Sequence, residues 1–292
     1  MPELPDVALY VERASERLVG QVLRHVRLAS PFVLRTAVPP IAEAEGRRIV
    51  GVERLGKRIV LALEGERWLV VHLMIAGRLR WIEPGRKPPG RITQAAFEFD
   101  TGTLALTEAG SQRRASLHFL GSREALAALD PGGIDVATAD LATFEARLRL
   151  ENHTLKRALT DPRLFSGIGN AYSDEILHRA RLSPVALTRS LPAADAARLH
   201  AAAREVLVEW SARLAAESPG WPEKVTAFHP QMAVHGRFGQ PCPVCGSPVQ
   251  RIVHADNESN YCARCQTGGK LLADRALSRL LKASWPKSID DL

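Results

Sequence analysis

The chain of 292 residues contains no uninterrupted apolar run long enough to cross a membrane, although 46% of it is hydrophobic. Its first residues, Met1-Pro2-Glu3-Leu4-Pro5-Asp6, lack the basic region and apolar stretch of a secretory signal. No internal repeat and no low-complexity tract interrupts it, which sets solenoid and disordered architectures aside. Acid is in deficit: 32 Asp and Glu stand against 39 Lys and Arg, a formal charge of +7 that favours a polyanionic partner. Cysteine is scarce, at four residues. A cytoplasmic protein without a membrane partner is the expectation.

The four cysteines are concentrated. Cys242-Pro243-Val244-Cys245 is followed by sixteen residues and then Cys262-Ala263-Arg264-Cys265. Two CxxC pairs at this separation have the spacing of a four-thiolate zinc ribbon. Four thiolates close a tetrahedral site and leave no position open for catalysis, so one structural Zn2+ is expected. Disulfide or redox chemistry is the alternative. It fits poorly, because no cysteine is left over and no signal peptide precedes the pairs.

Length allows two or three domains. Residues 4–19 have helical spacing at Val7, Tyr10, Val11, Ala14 and Leu18, with Pro5 in the first turn and Gly20 at the end. From Gln21 to about Leu106 the period becomes two, and Gly-containing turns separate short runs, the pattern of a β-sandwich. Between Arg47 and Arg91 eleven Lys and Arg face four Glu, so this segment carries an excess equal to the whole chain's. A sheet with a phosphate-facing rim would look like this; so would a solvated basic face. Gly110 to Arg114 reads as a polar loop, and Asp130-Pro131-Gly132-Gly133 as a boundary turn.

Beyond Ala139 the period is helical. Helices are predicted over Leu141–Leu150, Leu155–Thr160, Ala171–Arg181 and Ala193–Glu217, the third capped by Asn170, and a last one from Lys270 to Ala283. Gly167-Ile168-Gly169-Asn170 opens the third. Two glycines allow a tight turn before a helix whose free N–H groups suit a phosphate, though alone such a GxG is weak.

Four segments in fixed order resemble the formamidopyrimidine-DNA glycosylase and endonuclease VIII family of bifunctional repair enzymes. They are Pro2-Glu3-Leu4-Pro5; Leu55-Gly56-Lys57-Arg58; Gly167 to Glu175 with Pro184; and Val234-His235-Gly236-Arg237 with Gln240-Pro241-Cys242 and the ribbon. The resemblance implies an α+β multidomain enzyme. Its parts would be a catalytic β-sandwich domain over 1–134, a helix–two-turn–helix domain over 135–230, a zinc ribbon over 231–269 and a helical extension over 270–292. It implies damaged DNA as partner, no nucleotide cofactor, and nucleoid association through DNA; a monomer is expected because no oligomerisation signal appears. A non-excising damaged-DNA binder on the same fold is the alternative.

The resemblance also assigns roles. With Met1 removed, Pro2 becomes a terminal secondary amine. An α-amine titrates near about 8 and a lysine near about 10.4, so roughly a tenth of such amines are nucleophilic at neutral pH. Pro2 would attack the sugar C1′ and Glu3 would protonate the opening sugar or the leaving base. Lys57 and Arg264 would contact phosphate and assist elimination. His72, Arg113, Arg114, Lys156 and Asn170 would contact DNA, and Gln94 stands where a phosphate-binding histidine is expected. Departures fall among the damage-reading parts. Ile75 replaces a void-filling methionine, with Met74 one earlier, and Ala115-Ser116 replace Phe-Gly. Ser218 to Phe228 is unlike the lesion-capping loop, and Asp6 replaces glutamate. Lyase activity is expected; the substrate stays open among oxidised pyrimidines, ring-opened purines, abasic sites and bulkier lesions.

Overall fold

The computed structural model describes every residue except Ser111, Lys224, Thr226, Ala227, Ala255, Asp256, Asp274, Lys282, Ala283 and Leu292; Arg275, Ala276 and Leu277 are described by backbone alone. The chain divides into two compact units. One comprises Met1–Pro131 with Ser211–Thr226, the other Gly132–Trp210 with Ala227–Leu292.

The first unit opens with α1 (Leu4–Leu18), which places Pro5 in its first turn. Eight strands among the described residues follow: β1 (His25–Leu28), β2 (Ile49–Leu55), β3 (Arg58–Leu63), β4 (Arg67–His72), β5 (Gly77–Ile82), β6 (Thr93–Phe99), β7 (Gly102–Glu108) and β8 (Ser116–Leu120). A short α2 (Arg123–Ala127) comes next, capped by Ser122. The strands form two antiparallel sheets, in the orders β1-β6-β7-β5 and β2-β3-β4-β8. This is the β-sandwich that the alternation of apolar residues predicts. Ile59, Leu61, Leu69, Val71, Leu117 and Phe119 from one sheet share a core with Leu79, Phe97, Leu104 and Leu106 from the other. Val7, Tyr10, Ala14 and Leu18 of α1 join them, the same residues that mark its helical period. Each buried Val, Leu, Ile or Phe among them contributes about 1.5–3 kcal/mol.

β4 is buried on both faces, because Trp68 and Val70 turn outward to a second cluster with Val60, Leu120 and Leu126. β8 and α2 have no counterpart among the sequence expectations: a five-residue strand behind a polar loop carries too short a period to read. Strand β1 begins at His25 rather than Val22, which makes only an isolated bridge to Arg48.

The second unit contains α3 (Leu141–Leu148), α4 (Leu155–Thr160), α5 (Asn170–Arg179) and α6 (Ala193–Glu217), whose residues from Ser211 onward cluster with the first unit. Asp140 and Thr154 cap α3 and α4 with side-chain oxygens. Phe144 and Phe165 are fully buried, their rings 4.9 Å apart. The hairpin β9 (Gln250–Val253) and β10 (Glu258–Tyr261) leads into α7 (Ala263–Thr267) and α8 (Arg275–Leu281). The predicted helix over 270–283 is thus shorter, because Lys270 and Leu271 pair with Ser288 and Lys287 instead of coiling; Asp274, Lys282 and Ala283 lie outside the described residues. No helix among the described residues is long and apolar enough to cross a membrane.

Candidate functional site

In the first unit the chemistry collects at the start of α1. Glu3 is the N-cap in a reciprocal capping box with Asp6, and its backbone N–H donates to Asp6 Oδ2 at 2.8 Å. Both carboxylates are 2% exposed. Burial pushes the Asp6 carboxyl up to about 7; the Glu3 N–H bond opposes that, the Glu3 charge adds to it, and the amino terminus and Arg78 oppose it. The terminal amine, here on Met1, is pulled below its ordinary value by burial first. Glu3 and Asp6 raise it, and Arg78 and Lys57 lower it. The fold therefore brings Glu3 and Lys57 to the amino terminus, beside the buried Pro2. Arg78 of β5 belongs to the same group, although nothing in its strand pattern marks it out.

His72 ends β4 directly opposite Arg58 on β3. Burial drives its pKa down to about 4, and Arg58, Lys57 and His118 push the same way, so at neutral pH it is an uncharged donor–acceptor. His118 of β8 joins this basic end of the sheet, with a buried Nδ1 that has no hydrogen-bond partner among the described residues.

After β4 the chain turns sharply. Met74 takes a left-handed conformation at φ 53, and Gly77 N–H donates to Leu73 O at 2.9 Å. Ile75 is 60% exposed at this turn. A Cβ at Gly77 would lie 2.2 Å from Leu73 O, so only glycine fits. Glu108, 2% exposed, accepts the N–H groups of Arg114 and Ala115 at 3.0 Å each. That fixes the exposed Arg113 and Arg114, which donate to Arg91 O at 2.8 Å and Gln112 Oε1 at 2.6 Å. Ala115 is buried in the inter-sheet core and offers nothing to solvent.

Gln94 requires correction as a DNA contact. It is 2% exposed and its amide donates to Ile92 O, while its backbone carbonyl accepts the N–H groups of Ala29 and Ser30 as the pairing of β1 with β6 runs on. The segment from Ser218 is anchored to the sandwich: Trp221 donates to Leu79 O at 3.0 Å and packs near Tyr10 and Trp81.

In the second unit, Gly167 takes φ 82, a conformation that favours glycine. The N-cap of α5 is Gly169, not Asn170 as the spacing suggests, since Gly169 is extended and Asn170 already helical. Freed from capping, the Asn170 amide donates to Glu258 O of β10 at 2.9 Å. Lys156 is also less available than its position implies. Its ammonium donates to Asn170 O at 2.6 Å and to the fully buried Asp174 at 2.5 Å, which leaves one of three N–H bonds. Asp174 also meets His235 Nδ1 at 2.8 Å. Glu175 accepts three backbone N–H groups, from Ala233 at 2.7, Val234 at 2.9 and His235 at 3.0 Å, and so fixes the lead-in to the ribbon.

The ribbon itself brings Cys242, Cys245, Cys262 and Cys265 together, with all four sulfurs within 4.8 Å of one another. Zinc–thiolate bonds of about 2.3 Å in a tetrahedron require sulfurs about 3.8 Å apart. The separations are 3.9 Å for Cys242–Cys265 and 3.4 Å for Cys245–Cys262, so the set fits one zinc ion. His178 of α5, held neutral by burial with a pKa down to about 4, places Nε2 3.3 Å from Cys242 Sγ. Arg264, on α7 between two of the cysteines, is half exposed; Nε donates to Ser247 Oγ at 2.9 Å and Nη2 to Asp290 Oδ1 at 2.7 Å.

Three family models match in order: the formamidopyrimidine-DNA glycosylase N-terminal domain over residues 1–122, the H2TH domain of the same enzymes over 129–214, and a zinc finger found in FPG and IleRS over 239–268. Formamidopyrimidine-DNA glycosylase of Thermus thermophilus is 38% identical over 281 residues, which covers 92% of this chain and all of that protein. The crystal structure of the MutM (Fpg) protein from that organism superposes with a TM-score of 0.76 at 36% identity, covering 91% of this chain and 98% of that one. A Lactococcus lactis Fpg complexed with abasic-site DNA shares the fold at a TM-score of 0.79 and 24% identity, over 91% and 99% of the two chains.

Proposed function

The chain belongs to the formamidopyrimidine-DNA glycosylase family and is a base-excision repair DNA glycosylase with abasic-site lyase activity; we propose that its chemistry runs through Pro2. Once Met1 is removed, the Pro2 nitrogen attacks C1′ of the damaged nucleotide and the N-glycosidic bond breaks. The base leaves with a proton, and Glu3 protonates the opening sugar or that base. The resulting iminium withdraws electrons and acidifies the C2′ hydrogen. Loss of that proton expels the 3′ phosphate oxygen, and a second elimination expels the 5′ one. Lys57 and Arg264 contact backbone phosphates through these eliminations, and one structural zinc holds the ribbon that carries Arg264.

The observation that carries the reading is the place of Pro2, which is buried between Glu3 and a Met1 amine that has Glu3, Asp6, Arg78 and Lys57 as its charged neighbours. A non-excising binder has no use for an amine so placed. Damaged DNA is the partner; a monomer working at the nucleoid without a nucleotide cofactor completes the proposal. Ile75 is the exposed apolar side chain that could enter the space a flipped base vacates, while Ala115 cannot. The proposed substrates are abasic sites and damaged bases, among them oxidised pyrimidines, ring-opened purines and bulkier lesions.

The test separates the two bond-breaking stages. Glu3→Gln should lose excision from lesion duplexes by about a hundredfold or more while retaining more of its scission of preformed abasic sites. Equal loss on both substrates would assign Glu3 a different role.

A further inference from the structure

Two loops of the first unit lie side by side, and one buried carboxylate joins them. Glu108 ends β7 directly opposite Gly77, where β5 begins, and its own N–H donates to Ile92 O at 2.7 Å. Gly77 closes the turn that presents Ile75. The Arg78 guanidinium steadies that turn by donating to Ile75 O at 3.2 Å and Gly77 O at 2.6 Å. The second loop leaves β7 just after Glu108. A Cβ on its Gly110 would lie 3.4 Å from Ala76 Cβ, so the two loops touch. At the far end of that loop the Glu108 carboxylate spans two neighbouring N–H groups, Oε1 accepting from Arg114 and Oε2 from Ala115 at 3.0 Å each. Ala115 is 4% exposed and sunk in the inter-sheet core, so the exposed Arg113 and Arg114 stand on a fixed base.

We infer that Glu108 is a positioning residue for reading the base opposite the lesion: it holds the loop of Arg113 at a set distance from the turn of Ile75, so that both enter the duplex as one piece. The inference rests on reading Ile75 as the side chain that fills the vacated space and Arg113 as one that meets DNA there. Extruding a nucleotide leaves a gap in the stack and an unpaired partner base. An apolar side chain recovers part of the lost stacking by filling the gap, and a guanidinium recognises the partner base by its acceptor edge. Arg113 uses one N–H on Arg91 O at 2.8 Å, and a guanidinium has five. Its planar fork matches a base edge in few orientations, so the direction of the backbone beneath it matters. A polar loop held at one end only would have to be ordered at each encounter with DNA. Two adjacent backbone hydrogen bonds to Glu108 remove that freedom beforehand, and they set the course of the chain rather than of one side chain.

The experiment is single-turnover scission, at saturating enzyme, of an abasic site opposite each of the four bases in a duplex, and of the same strand without a complement. Circular dichroism is recorded for every variant. Glu108→Ala should slow the duplex reaction with the preferred opposite base by about three- to tenfold, the size expected when contacting groups are misplaced but present. The spread of rates among the four opposite bases should narrow, since one good contact to a base edge carries about fivefold discrimination or more. The single strand has no opposite base and no gap to fill, so its scission should be largely spared. Glu108→Gln, which keeps an oxygen for one of the two N–H groups, should fall between wild type and Glu108→Ala. In an Arg113→Ala background, Glu108→Ala should narrow the spread no further. Equal loss on single strand and duplex would make Glu108 a support of the fold only, and an unchanged spread would leave it no part in reading; either result overturns the inference. A wild type equally fast against all four bases, or an Arg113→Ala variant with the wild-type spread, would instead refute the reading of Arg113, and that outcome is distinct from the others.

Discussion

Asp6→Asn offers a test whose size follows from the structure. The Asp6 carboxyl is 2% exposed, accepts the Glu3 N–H at 2.8 Å and has a pKa pushed up to about 7 from 3.8 by burial. An acid whose pKa is raised by folding holds its proton longer in the folded chain. Its stabilising contribution is complete below the unfolded pKa and is lost as pH rises through the folded one. One pKa unit corresponds to about 1.4 kcal/mol, so the wild type should lose roughly 2–3 kcal/mol between pH 5 and pH 8.5 relative to a variant that cannot ionise. Asparagine keeps an oxygen for the Glu3 N–H and is always neutral. The two units need not unfold together, so the assay is hydrogen exchange of the α1 amides in both proteins across that range. Asp6→Asn should gain protection relative to wild type as pH rises, with the steepest change between pH 5 and 7. A difference that stays constant with pH would refute the burial argument.

Four further outcomes follow from named contacts. Glu175→Ala leaves three backbone N–H groups without their acceptor and should cost about 3–5 kcal/mol in the second unit, read by urea unfolding, with DNA binding lost alongside. Gly77→Ala meets Leu73 O at 2.2 Å and should destabilise the first unit by about 2 kcal/mol or more, read as a lower urea midpoint, and displace Ile75 with its turn. Chelation of zinc should abolish DNA binding yet leave the β-sandwich folded by circular dichroism, and His178→Phe should release zinc to a chelator faster than wild type.

Local pattern makes several parts of this molecule legible in its sequence. The cysteine spacing carries the ribbon because metal geometry dictates ligand spacing. The residues Val7, Tyr10, Ala14 and Leu18 carry α1 because a helix buries one stripe. What stays hidden depends on contacts distant in sequence. Gln94 looks available from its neighbours, yet the folded chain leaves it 2% exposed. Asn170 has the chemistry of a cap, but Gly169 takes the extended conformation and Asn170 reaches Glu258, 88 residues away. Arg78 comes near the amino terminus, and Asp290 beside Arg264, only in the folded chain. Periodicity reports which side a residue faces, not which group it meets there.

The central claim is that the nucleophile is the nitrogen of Pro2. Purified active protein should be reduced with borohydride on an abasic-site duplex, digested, and the DNA-bearing peptide located by mass. The account predicts a peptide that begins at Pro2, with Met1 gone and the sugar remnant on its terminal nitrogen. A remnant on a lysine side chain, or efficient scission by protein that still carries Met1, would contradict it.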